Sequence, residues 1–152
     1  MSTMALLAGA PVVAPVLDAA AAAHATLVNR ARSALLESGT ATTVSQLAAA
    51  TGRSVPTARR WVARKRDAAR LVAVTLHDGT LLVPTVQLDE AFDLDELIAD
   101  RTQRLIEYGM GPWAIWDWWQ VPNGWLDGRT PTEAAEAGDY DDIDRAIDGL
   151  TQ

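Results

Sequence analysis

"TVSQLAAATGRSVPTARRWVARKRDAAR", residues 43–70, places two helix starts close together and follows the second with a run of bases. Thr43 or Ser45 can cap a short helix through Ala50, because a hydroxyl there accepts from backbone N–H groups that the first helical turn leaves unpaired. Gly52 supplies the turn. Ser54 then caps a second helix that begins Val55-Pro56, where proline's missing donor costs nothing. Leu47, Ala48, Ala58 and Trp61 are spaced as inner contacts, with alanine where two helices must approach closely, so the stretch reads as a helix-turn-helix. The outward face of the second helix carries Thr57, Arg60 and Arg64, with Arg53, Arg59, Lys65 and Arg66 near its edges. A run of arginines alone is often only a solvated face. Combined with the glycine turn and the small inner residues, it points to DNA binding through Arg53, Thr57, Arg59, Arg60, Arg64 and Lys65.

Charge is distributed to match. Residues 41–86 carry seven bases against Asp67 and Asp78, a balance of +5, while residues 87–152 carry four bases against sixteen acids, a balance of -12. Such asymmetry, hidden in a net charge of -7, joins a part suited to nucleic acid to a part that faces something else.

On the N-terminal side, residues 1–15 are small, apolar and proline-punctuated, and read as a flexible arm. Val16 to Ser38 reads as an alanine-rich helix with Leu17, Ala20, Ala21, Leu27, Val28, Ala31 and Leu35 near one stripe and Gly39 as its stop. On the C-terminal side, "LVAVTLHDGTLLVPTVQ" gives two β-rich runs joined at His77-Asp78-Gly79-Thr80, a hairpin that makes the arrangement winged; Pro84 must sit at an edge or end of its strand. The DNA-binding part is therefore expected to span residues 16–88.

Residues 89–152 read as a bundle of short helices. Asp93 with Glu96 forms a capping box for a helix to about Tyr108, with Leu94, Leu97, Ile98, Leu105 and Tyr108 inward. Pro112 opens "PWAIWDWWQ", whose Trp113, Ile115, Trp116 and Trp119 cannot share one narrow stripe. After "VPNGWLDG", Thr130 and Glu133 make a second capping box, Gly138 ends that helix, and Asp139 or Asp141 starts a last one through Leu150. Core packing accounts for two or three of the indoles; the surplus fits a protein interface, where tryptophan anchors are typical. A cofactor box fits poorly, since the surrounding acids repel phosphate.

The stretch "LLVPTVQ" before an acidic helix, followed by "WAIWDWWQVPNGWLDGRTPTEAAEAGD", resembles the antitoxin family with an Xre/MbcA/ParS-type toxin-binding domain. The matching positions are Trp119, Pro122, Asn123, Leu126, Gly128, Thr130, Pro131 and Gly138, within a resemblance spanning roughly residues 41–152; Ala134-Ala135 departs from the bulkier aliphatic pair common in the family. The resemblance implies a bacterial type II antitoxin that covers the active-site cleft of a RES-domain, NAD-degrading toxin and binds its own promoter, as a homodimer or within a larger toxin–antitoxin assembly. The toxin-binding residues it implies are Trp119, Trp125, Leu126, Arg129, Asp141, Asp142, Asp144 and Asp148, with the segment from Asp139 onward against the toxin's cleft.

The competing reading is a stand-alone winged-helix transcriptional regulator whose acidic half dimerises or binds an effector. Catalysis is not expected. Carboxylate pairs such as Asp141-Asp142 and Asp93-Asp95 fall where helix caps belong, and no nucleophile, histidine or glycine-rich phosphate loop stands near them. No cofactor or metal is expected either: His24 and His77 are isolated, and the chain has no cysteine for disulfides, thiolate chemistry or zinc. The longest apolar stretch, Ala5 to Leu17, contains Pro11 and Pro15 and lacks a basic flank, which fits neither a membrane span nor a secretory signal, so a cytoplasmic protein is expected. The overall expectation is a mainly α protein: a helix-turn-helix with a small β-hairpin wing, then a short-helix toxin-binding bundle.

Overall fold

A computed structural model describes the backbone of residues 10–151 and the side chains of residues 18–150. The chain divides after Glu37 into two compact units. The first holds a single helix, α1 (Ala10–Glu37). It starts earlier than the sequence predicts and takes residues 10–15 out of the expected arm; Pro11 lies in its first turn, where the N–H that proline lacks has no intrahelical acceptor. Residues 1–9 lie outside the described residues. Along the expected apolar stripe Ala20, Ala21 and Ala31 are exposed and Leu27 is 64% exposed, whereas Leu35 is buried. Alanine's high helix propensity forms such a helix without an apolar face to direct it.

The second unit, Ser38–Gln152, is mainly helical with one small antiparallel sheet. Strand β1 (Ala41–Thr43) runs directly into α2 (Val44–Thr51). Thr43 caps it reciprocally: its hydroxyl accepts from the Gln46 N–H (3.1 Å), and the Gln46 side-chain oxygen accepts from the Thr43 N–H (3.0 Å). Gly52 adopts φ 71°, the left-handed geometry that lets the chain turn, and Ser54 caps α3 (Val55–Asp67) with Pro56 in its first turn. Leu47, Ala48 and Ala58 are buried between these helices and Trp61 is only 6% exposed, as their spacing requires.

A hairpin follows. Strands β2 (Val74–Thr75) and β3 (Leu81–Pro84) pair around the His77–Gly79 turn, closed by the Leu76 N–H donating to the Thr80 carbonyl (2.8 Å). Pro84 ends its strand, where its missing donor breaks no ladder. β1 adds to the other side of β3, with Thr42 opposite Val83, giving the order β1-β3-β2; its three residues are too few to announce themselves by alternation.

The remaining helices are α4 (Glu96–Glu107), α5 (Pro112–Gln120), α6 (Pro131–Glu136) and α7 (Tyr140–Asp148). The cap of α4 is not Asp93 but Asp95, whose carboxylate accepts from the Leu97 and Ile98 N–H groups. Asp93 is held upstream, donating its N–H to the Asp89 carboxylate while its own carboxylate takes the Leu94 N–H. The buried stripe is Ile98, Ala99, Thr102 and Leu105, with Leu97 50% and Tyr108 48% exposed rather than inward. The second capping box forms as expected, with Thr130 and Glu133 exchanging side-chain and backbone hydrogen bonds (2.9 and 3.1 Å).

Two clusters of buried side chains meet inside this unit. Leu47, Trp61, Leu71, Ala73 and Leu94 belong to one; Val72, Ile98, Leu105, Trp119 and Ile143 belong to the other. Residues 71–73 send alternate side chains into the two, and α4 supplies Ala99 to the first and Ile98 to the second. Residue 88, the expected boundary between halves, therefore lies within one compact unit. Where the clusters meet, Gln87 is 1% exposed. Its oxygen accepts from the Val72 N–H (2.7 Å) and its amide donates to the carbonyls of Val72 (2.9 Å) and Pro84 (3.1 Å).

Gln87→Leu keeps the volume but strands both main-chain groups of Val72 without a partner, so it is expected to lower stability by about 2–4 kcal/mol. Urea unfolding checks this; a midpoint equal to that of the parent protein would contradict it.

Candidate functional site

Exposed side chains of α3 fall into two rows. Thr57, Arg60 and Arg64 form one, at helical spacing on the side away from Ala58, Trp61 and Val62. Thr57 is tied in place: its hydroxyl accepts from Ser54 (2.9 Å) and from the Arg60 guanidinium (3.2 Å). The second row is Arg59, Ala63 and Arg66. It lines a groove of about 610 Å³ whose other walls are Thr43 to Ser45, at the start of α2, and Asp78 to Leu81, at the hairpin tip. The Asp78 carboxyl in that wall is held below its usual range by the Thr80 N–H, which it accepts at 2.9 Å.

The bases differ in availability. Arg53 and Lys65 are half-buried, with their charges over the Trp61 ring at 5.3 and 6.0 Å, so part of each side chain is committed to packing. Arg70 is withdrawn from the basic face altogether, donating to Asp100 (2.7 Å), Glu96 (2.5 Å) and Gln103 (3.1 Å) of α4. Its pKa is raised by these bonds, first to Asp100 and then to Glu96. Among the described residues no ion pair engages Arg53, Arg59, Arg60, Arg64, Lys65 or Arg66. The structure thus brings the six expected DNA-binding residues together on and beside one helix. It adds Arg66, Ser45 and the hairpin tip as groove walls; Ser45 and the tip carry no local signal of this role.

The acidic half is arranged differently. Trp116, Trp118 and Trp119 are buried, Trp118 and Trp119 edge to face at 5.1 Å, and Trp113 stacks on Trp116 at 5.7 Å. Trp119 (0% exposed) and Leu126 (1%) lie buried in the bundle core, at positions where the family resemblance implies residues that touch a partner. Trp125, 54% exposed, is the indole left outside.

The helix α7, expected against a partner's cleft, is integral to the bundle. Ile143, Ala146 and Ile147 are buried. Its acids are mostly engaged: Asp144 accepts from Arg101 (3.0 Å) and Arg104 (3.2 Å), Asp148 from Arg104, and Asp142 from Arg129 (3.3 Å) and Arg145. Arg129 also reaches Asp139 (2.7 Å), which makes it a clamp between the turn after α5 and the start of α7. Of the four expected acids, Asp141 is exposed and makes no ion pair among the described residues, so it alone presents a free charge. Beside this clamp Tyr140, Asp95, Gln120, Thr132 and Thr85 line a cleft of about 330 Å³. Burial, and next the Asp95 charge, push the Tyr140 phenol up, opposed by Arg101 stacked 4.8 Å over its ring. Among the described residues no group of three or more Asp, Glu, His or Cys side chains is placed to hold a metal ion, and no helix is long and apolar enough to cross a membrane.

The chain is similar to an NMR structure of Rv2175c, with 20% identity and a TM-score of 0.56 over 73% of this chain and 82% of that one. At this identity the likeness is one of fold. No protein-family model matches the chain, and no curated protein matches it.

Because α7 completes the bundle core, removing residues 139–152 is expected to do more than trim a tail. Each buried isoleucine removed is worth about 2 kcal/mol, and near-ultraviolet circular dichroism should lose the signal of the packed tryptophans. An unchanged tryptophan spectrum in the truncated protein would show that α7 is a detachable segment after all.

Proposed function

We propose that this chain is the antitoxin of a type II toxin–antitoxin pair, binding its own promoter through α2 and α3 and neutralising a RES-domain, NAD-degrading toxin through its acidic half. In this reading α2 and α3 are a helix-turn-helix, α3 enters the major groove with Arg60 and Arg64 toward base edges, and the β2–β3 hairpin is a wing. The observation that carries it is the contrast in charge pairing within one compact unit. Among the described residues the bases of α3 make no internal ion pair, whereas the acids of α7 other than Asp141 are bound up in clamps that shape the bundle. Bases kept together against their mutual repulsion fit a polyanionic ligand, since each phosphate they neutralise releases counterions. The groove beside Arg59 and Arg66 is open to a phosphate backbone.

For the toxin, the resemblance supplies the identity and the structure supplies a constraint. Trp119, Leu126, Arg129 and Asp144 act by holding the surface that meets the partner, and direct contact falls to exposed groups such as Trp125 and Asp141.

Replacing Arg60 and Arg64 together by alanine is expected to weaken promoter binding by about 1–3 kcal/mol for each base-reading side chain removed and to flatten its salt dependence. Toxin neutralisation should persist. Operator affinity measured by fluorescence anisotropy across a salt series tests this; parental affinity and salt slope in the double variant would sink the assignment of α3.

A further inference from the structure

More than half of Trp125 is open to solvent, yet the ring is not loose. Its backbone is pinned by the side-chain oxygen of Asn123, which accepts the Trp125 N–H at 2.9 Å, and by the tight turn through Asp127 (φ 56°) and Gly128 (φ 82°). One part of the indole rests on the bare α-carbon of Gly149: a Cβ there would collide with the indole nitrogen and lie 2.5 Å from Cε2. Gly149 has helical φ and ψ (−62°, −22°), so its backbone has no need of glycine, but the ring does. Among the described glycines it is the one whose Cβ would meet anything within 4 Å. Next in the chain comes Leu150, half-buried, whose carbonyl accepts the hydroxyl of the half-exposed Tyr108. Trp125, Leu150 and Tyr108 therefore form one apolar strip along the C-terminal turn. Two exposed acids, Glu107 beside Tyr108 and Asp127 two residues after Trp125, are its chain neighbours.

Resting on the reading of the acidic half as partner-binding, we propose that Trp125 is a preorganised anchor whose occupant is a basic protein surface opening on an apolar pocket. An indole already fixed by Gly149 and the Asn123 turn loses little rotamer freedom on docking, which is the usual entropic cost of an aromatic anchor. Its acidic neighbours repel nucleic acid and a second copy of the same strip, and attract a surface ringed with Lys or Arg. The strip and its charge thus select both the class of partner and its local chemistry.

The test uses the full chain and a purified RES-domain protein as the probe, with affinity measured by calorimetry at low and moderate salt. Trp125→Ala and Gly149→Ala, the latter displacing the ring while leaving its chemistry intact, should each weaken the complex at least about tenfold, as truncating an anchor does. Asp127→Lys should lower affinity and shrink its salt dependence. Circular dichroism at the assay temperature should show all three variants folded as the parent protein is. If the parent complex forms and both Trp125→Ala and Gly149→Ala bind as tightly as the parent, the anchor proposal is wrong while the antitoxin reading stands. If the parent chain forms no complex with that protein, both fall together.

Discussion

The Gln87 side chain makes three hydrogen bonds to main chain from two separate segments, and in doing so it stands in for a strand that is not there. Val72 lies just before β2, outside the strand ladder; the Gln87 side-chain amide satisfies both its N–H and its carbonyl, much as a strand would. The Gln87 main-chain carbonyl in turn accepts the N–H of Asp95, the residue that caps α4 (2.8 Å). One buried residue, through its side-chain amide and its main-chain carbonyl, therefore ties together the exit of the sheet, Val72 and the cap of α4. An unpaired polar group in such a place is costly, so the arrangement is all or nothing.

That junction gives the two faces of the unit a common frame. Val72 points to the tryptophan-rich cluster and its neighbours Leu71 and Ala73 to the cluster behind α3, while α4 is shared between them. Arg70, immediately before, closes the same junction on the outside by pairing with Glu96 and Asp100. Exposed pairs of this kind contribute little to stability one at a time, but here they remove a base from the α3 side and cancel acids on α4. The clamps Arg101–Asp144 and Arg129–Asp139 do the same at α7. Among the groups these pairs leave exposed are the α3 bases on one hand, and Asp141 and the strip around Trp125 on the other.

Local signals in the sequence identify α2, α3 and their turn, because Thr43 with Gln46, Gly52, and Ser54 with Pro56 each act within a few residues and need no tertiary help. The hairpin tip and the Thr130–Glu133 box are legible for the same reason. Gln87 is not: in "VPTVQLDE" it looks like an ordinary polar loop residue, and only the packing of Val72 makes it central. The choice between Asp93 and Asp95 as a cap is equally hidden, since either carboxylate can serve and the Asp89 loop decides by engaging Asp93. At Trp119 and Leu126 the motif that resembles a family marks residues that build the bundle, and a motif cannot by itself tell a residue that touches a partner from one that shapes the surface. Trp125 is legible as aromatic surplus, but its seat on Gly149 joins residues far apart in the chain.

Joined at Val72 and Gln87, residues 38–152 are expected to unfold as one cooperative unit, the basic and acidic faces together. Native-state hydrogen exchange tests it most directly. Amides deep in α3, such as that of Val62, and in α7, such as that of Ile147, should open with the same free energy, equal to that of global unfolding, and respond alike to low denaturant. A separate, lower free energy for α5 to α7, with α3 still protected, would show two independent domains and contradict the account.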